Sequence, residues 1–103
     1  MDKKTKKEKA KNLINMAIKA GKILFGEDNF FRFTQKNKVK LVIFDNSLSE
    51  RAKEKITKKA LSYLNHNRII TYSDNLGNDI KSGVKVISIT DENFARPISE
   101  LLR

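Results

Sequence analysis

The run Val39-Lys40-Leu41-Val42-Ile43-Phe44 is apolar at every position except Lys40. A strand sends successive side chains to opposite faces of its sheet. A run that is apolar at both parities therefore needs cover on both faces, which suits a sheet sandwiched between helices. Three further segments read as strands: Ile23-Leu24-Phe25, Arg68-Ile69-Ile70-Thr71-Tyr72 and Val84-Lys85-Val86-Ile87-Ser88-Ile89. Between them lie stretches with helical spacing. This alternation predicts an α/β fold with a mixed, largely parallel four-stranded sheet and helices on both faces.

The helical stretches carry their own signals. Leu13, Ile14, Ala17, Ile18 and Ala20 form a broad apolar face, so a first helix is expected from about Ala10 to Ala20, with Gly21 as its stop. Gly26 breaks the strand that follows. Glu27 and Asp28 suit the first turn of a second helix ending near Lys36 to Lys38, with Phe30 and Phe33 toward the core and Phe31 off that stripe. Ser47-Leu48-Ser49-Glu50 matches a capping box, with Ser47 as cap. Leu48, Ala52, Ile56, Ala60 and Leu64 then recur every four residues, with Tyr63 beside them, and the lysines of this helix read as a solvated face. Ser73-Asp74 is expected to open a short helix reaching about Lys81. Thr90 reads as the cap of a last helix, which Pro97 should kink or interrupt.

The chain has 103 residues, 39 % hydrophobic and 33 % charged, which fits one domain with a compact core under a charged surface. Met1 to Lys9 is almost wholly polar and buries too little to offset ordering, so residues 1–9 are expected to be a basic, mobile segment and residues 10–103 a single domain. The 22 Lys and Arg against 12 Asp and Glu give a formal net charge of +10. Such a balance favours an anionic partner, nucleic acid ahead of an acidic membrane surface.

The composition also excludes. With no cysteine and a single histidine, His66, there is no disulfide, thiolate metal site or histidine metal cluster, and no cofactor is implied. Leu13 to Ile18 is too short and polar for an export segment, and no run approaches the roughly 20 apolar residues that span a bilayer. The chain reads as cytoplasmic. The carboxylates are scattered, and neither a GxSxG motif nor a phosphate loop ending in Lys-Ser/Thr is present. Asp45 follows a strand, where acids of open α/β sheets often act, but it lacks a visible partner base.

Gly26 is the best candidate for a binding determinant. A glycine at a helix start lets the free N–H groups of the first turn face a ligand, and basic residues surround it in sequence. Here the chain resembles the small kink-turn-binding ribosomal proteins of the L-seven-Ae type, their bacterial relatives in particular. The resemblance rests on Ala20-Gly21-Lys22 with Gly26-Glu27-Asp28, on Val39 to Ile43, on Leu76-Gly77 with Ile80, and on Val84 to Ala95. It spans about Leu13 to Leu102, and Ile89-Thr90-Asp91-Glu92-Asn93-Phe94-Ala95 is its most distinctive part.

The resemblance implies a three-layer α/β/α sandwich and a non-enzymatic, ribosome-associated protein that recognises structured, kink-turn-like RNA. In that family a G-x-N-E-x-x-K pattern opens the second helix and reads guanine edges, and a loop before the last strand packs apolar groups on a flipped-out base. Carried over here, Gly26 keeps the glycine and Arg32 keeps the charge of the lysine position. Asp28 stands at the asparagine position and Asn29 at the glutamate position, and an ionised Asp28 accepts hydrogen bonds only. The expected RNA face is Lys22, Gly26, Glu27, Asp28, Asn29 and Arg32, with the loop Lys81, Ser82, Gly83, Val84 and Lys85, in which Val84 is the apolar candidate for a base contact. The partners implied are ribosomal RNA or a kink-turn and the ribosome, with no membrane and no small-molecule substrate. A second reading takes the same scaffold as a protein-interaction module docking on a ribosomal or regulatory partner through basic helices. A third, weaker one makes it a small hydrolase centred on Asp45.

Overall fold

The computed structural model describes all 103 residues. Its order is α1 (Lys3–Lys19), β1 (Ile23–Phe25), α2 (Glu27–Thr34), β2 (Leu41–Asp45), α3 (Glu50–Leu61), a 3-10 turn at His66–Arg68, β3 (Ile69–Tyr72), α4 (Leu76–Asp79), β4 (Val86–Ile89) and α5 (Glu92–Leu102). β2 is buried along its whole length, as its two-sided apolar pattern requires. Leu41 and Ile43 join a cluster with Ile14 of α1, Ile87 and Ile89 of β4, and Ile98 of α5. Val42 and Phe44 point the other way, into a cluster with Phe30 of α2 and Ile56 and Ala60 of α3. The alternation of one strand thus divides the core in two. α1, α4 and α5 cover one face and α2 and α3 the other, giving the α/β/α sandwich.

The sheet is mixed, in the order β1-β4-β2-β3. The expectation of a largely parallel sheet needs correction at the level of pairing. Only β2–β3 is parallel, while β4 is antiparallel to both β1 and β2. β1, β2 and β3 do run the same way. The last strand enters between the first two in the opposite sense, so it converts what could have been parallel pairs into antiparallel ones.

Several boundaries also differ from expectation. α1 begins at Lys3, because Asp2 caps it by accepting from the Thr5 amide at 2.8 Å, so the basic segment forms its first turns. α1 ends in a Schellman motif: the Gly21 amide donates to Ile18 and the Lys22 amide to Ala17, with Gly21 at φ +72°. α3 is capped by Ser49, not Ser47, because the Asp45 carboxylate takes both the amide and the hydroxyl of Ser47. The cap of α5 is Asp91, which accepts from the Asn93 amide, while the Thr90 hydroxyl donates to the Lys22 carbonyl at 3.2 Å. α4 is shorter than expected and is capped by Asn75, whose side chain accepts from the Asn78 amide. α5 runs through Pro97 without interruption. Ala95 and Ile98, on either side of it, are fully buried and hold the helix on the sheet.

Candidate nucleic-acid interface

The start of α2 and the loop before β4 meet at one end of the sheet. The Gly26 amide donates to the Val86 carbonyl at 2.8 Å, and the Asp45 amide donates to the Lys85 carbonyl at 2.7 Å. The ends of β1 and β2 therefore both grip the entry of β4. Gly26 sits at φ +92°, a conformation that costs an L side chain dearly, and it caps α2 with no side-chain hydrogen bond. The Gly26 carbonyl accepts from the Phe30 amide, so the amides of Glu27, Asp28 and Asn29 have no helical partner.

The side chains around these amides differ in freedom. Asp28 is exposed, whereas Glu27 and Asn29 are half-buried. The Asn29 amide nitrogen donates to the Phe25 carbonyl at 2.9 Å. That bond fixes the orientation of the amide and leaves its oxygen to accept from a ligand. The helix start thus presents backbone donors beside carboxylate and amide acceptors. Such a mixture suits the edge of a base better than it suits a bare phosphate, since Glu27 and Asp28 repel anions.

The loop supplies the cations. The Val84 amide donates to the Lys81 carbonyl and closes a turn with Gly83 at φ +79° in its third position, as a type II turn requires. Lys81, Ser82, Gly83 and Lys85 are exposed. Val84 is half-buried and packs against the core below, so the core uses part of the side chain assigned to a base contact. The Lys81 ammonium lies 4.6 Å from the centroid of the Phe25 ring. This contact joins the loop to β1 and makes Phe25 part of the site, a residue that sequence reading missed. Its position directly before Gly26 was the available signal.

Asp45 is the keystone of this end of the molecule. It is 2 % exposed, and its carboxylate accepts from Ser47 and from the Leu76 amide at 2.7 Å. Burial works to raise its pKa, but the bonds from Ser47 and Leu76 outweigh that and hold the carboxyl below its ordinary value. Its lone pairs are committed to tying the β2–α3 loop to α4. It borders a small cleft with Asn75, Asn78 and the Ser82 to Lys85 loop, but its oxygens are already taken by Ser47 and the Leu76 amide.

Two expected residues lie apart from the rest. Lys22 is at the other end of β1, ~13 Å from Gly26 by strand rise, where its carbonyl accepts from Thr90 and its ammonium stands 4.0 Å from Asp91. Arg32 lies about 9 Å along α2 from Gly26 and lines a groove with α3, in the company of Lys55, Lys58 and Lys59. The structure therefore brings together Gly26 to Asn29 with Lys81 to Lys85, and sets Lys22 and Arg32 outside that cluster.

No family model matches the chain. A solved structure of a protein with unknown function from Bacillus halodurans C has the same fold, with a TM-score of 0.79 at 24 % identity over 91 % of this chain and 96 % of that one. A curated relative, RNA-binding protein YlxQ of Enterococcus faecium, is 33 % identical over 97 residues, covering 93 % of each chain. Identity of that order along nearly the whole of both chains leaves one assignment: this chain belongs to the family of RNA-binding protein YlxQ.

Proposed function

We propose that this protein is a non-enzymatic, cytoplasmic RNA-binding protein associated with the ribosome, and that it recognises structured, kink-turn-like RNA. The reading is carried by the glycine-opened start of α2 docked against the lysine-bearing turn before β4. A named RNA-binding relative at 33 % identity and the net charge of +10 support it. The resemblance to the kink-turn-binding ribosomal proteins gives the form of the RNA. In this reading the backbone amides after Gly26 and the acceptors of Asp28 and Asn29 meet guanine edges exposed by a kink. Lys81 and Lys85 contact the flanking phosphates, and Val84 and Phe25 provide the apolar surface beside an unstacked base.

Titration of a kink-turn RNA and a straight duplex of equal length, at two salt concentrations, tests this. The kink-turn should bind more tightly and with less salt dependence. Gly26→Ala, whose added methyl meets no neighbour but stands at φ +92°, should weaken the kink-turn complex by roughly tenfold or more while the duplex is unaffected. Equal, steeply salt-dependent binding of both RNAs would overturn it.

A further inference from the structure

The lysines of α3 read as a solvated face in the sequence, yet the structure directs three of the four into one place. Arg32 of α2 and Lys55, Lys58 and Lys59 of α3 line an open groove of about 460 Å³, with the half-buried Phe31 as its one apolar lining residue. No carboxylate lines this groove, and none of the four cations makes an ion pair. Lys53, on the neighbouring stripe of the same helix, does pair with Glu50 at 3.3 Å. Arg32, Lys58 and Lys59 lie in the last turns of their helices, where the dipole favours a cation. The dipole does not choose a side, however, and both helices turn these charges toward each other. Lys55 and Lys59 are like charges one turn apart, an arrangement that costs stability in the free protein.

We propose that the groove between α2 and α3 is a second RNA subsite, which carries a single-stranded segment leading away from the start of α2. The proposal takes RNA as the polyanion from the function proposed above and adds where the strand goes. Asp28, Arg32 and Gln35 form one exposed stripe on α2, so the surface continues from the helix start into the groove. Phe31 is held edge to face against Phe30, with ring centroids 5.1 Å apart, and the Lys55 ammonium lies 5.4 Å from the Phe31 ring centroid. A base laid on that ring would displace the ammonium toward the adjoining phosphate, which pairs stacking with charge neutralisation. An acidic protein partner fits less well, since protein interfaces rely on several apolar anchors and here Phe31 is the one apolar lining residue among seven.

The test is titration of a labelled single-stranded oligouridylate of about six nucleotides against the full chain. The variants are Lys55→Gln/Lys58→Gln/Lys59→Gln and, separately, Lys53→Gln on the neighbouring stripe of α3. The triple variant should lose roughly tenfold in affinity, and its plot of log affinity against log salt should flatten by about 2, the value for three phosphate contacts to a single strand. Lys53→Gln, which removes a charge outside the groove, should bind the oligomer as the unaltered protein does. Unchanged affinity and slope in the triple variant would overturn the proposal. So would equal binding of a glutamate peptide of the same charge, which would point to a protein partner. If the triple variant loses its helical circular dichroism, movement of the Phe31 ring resonances on titrating the unaltered protein decides instead, and still resonances refute the subsite. Failure of the kink-turn RNA to bind, with oligomer binding retained in the groove, would remove the function proposed for the helix start and leave the groove standing.

Discussion

A single buried carboxylate shows how residue chemistry organises the candidate site. Asp45 ends β2, and its two oxygens join Ser47 to the first amide of α4. Asp45→Ala should cost about 2–3 kcal/mol, because it leaves the Leu76 amide buried without its charged acceptor, and denaturant melts would measure this. Hydrolytic activity, by contrast, should be absent before and after the change. The folded-state pKa of Asp45 lies below its ordinary value of 3.8. Folding is thus favoured by the ionised form, and that stabilisation is complete above the ordinary value and is lost as pH falls below it. Asp45→Asn should therefore show a smaller fall in Tm between neutral pH and pH ~3 than the unaltered protein. An equal fall would show that other groups govern acid unfolding. Thr34 makes the opposite case. It is the fully buried last residue of α2, and its hydroxyl finds no protein partner. Thr34→Val keeps the shape and should raise stability by up to about 1 kcal/mol.

At the level of elements, helix starts were where sequence and structure parted most. The Ser47 to Glu50 capping box was well formed as a pattern. Two serines competed for one cap, and the winner was decided by Asp45, which captured Ser47. Ser49→Ala should lower stability by about 1 kcal/mol through loss of the bond from the Ala52 amide. Thr90 likewise lost its expected role because its hydroxyl faces the Lys22 carbonyl, 68 positions away in sequence. The lysine stripe of α3 was visible as spacing, but its meaning depended on α2 lying beside it with Arg32 and Phe31. Tyr63, placed with the buried stripe of α3, is 38 % exposed under the Lys59 ammonium instead.

Across the whole molecule, the ends of the elements are tied together by a few long-range contacts. Arg68 donates to both oxygens of Glu92 at 2.8 and 2.7 Å and also to the Lys40 carbonyl at 3.1 Å, which links the start of β3 to α5. That hydrogen-bonded pair lowers the pKa of Glu92 below its ordinary value of 4.5. Arg68→Lys keeps the charge but loses the planar fork, and should cost about 0.5–1 kcal/mol in a thermal melt. By itself the sequence determined the sandwich, because a strand that is apolar at both parities can be buried in no simpler way, and it determined Gly26 as the residue that opens α2. Its charge balance, which no fold can alter, also favours an anionic partner. Tertiary structure decided the pairing of the sheet, since β4 enters between β1 and β2 and makes both of those pairings antiparallel. It decided too which charges stand together. Lys22 and Gly26 are four residues apart yet lie at opposite ends of β1, while Arg32 and Lys58 come from different helices and share one groove. Sequence order sets the spacing of side chains within an element, and only the packing of elements sets their distance across the surface.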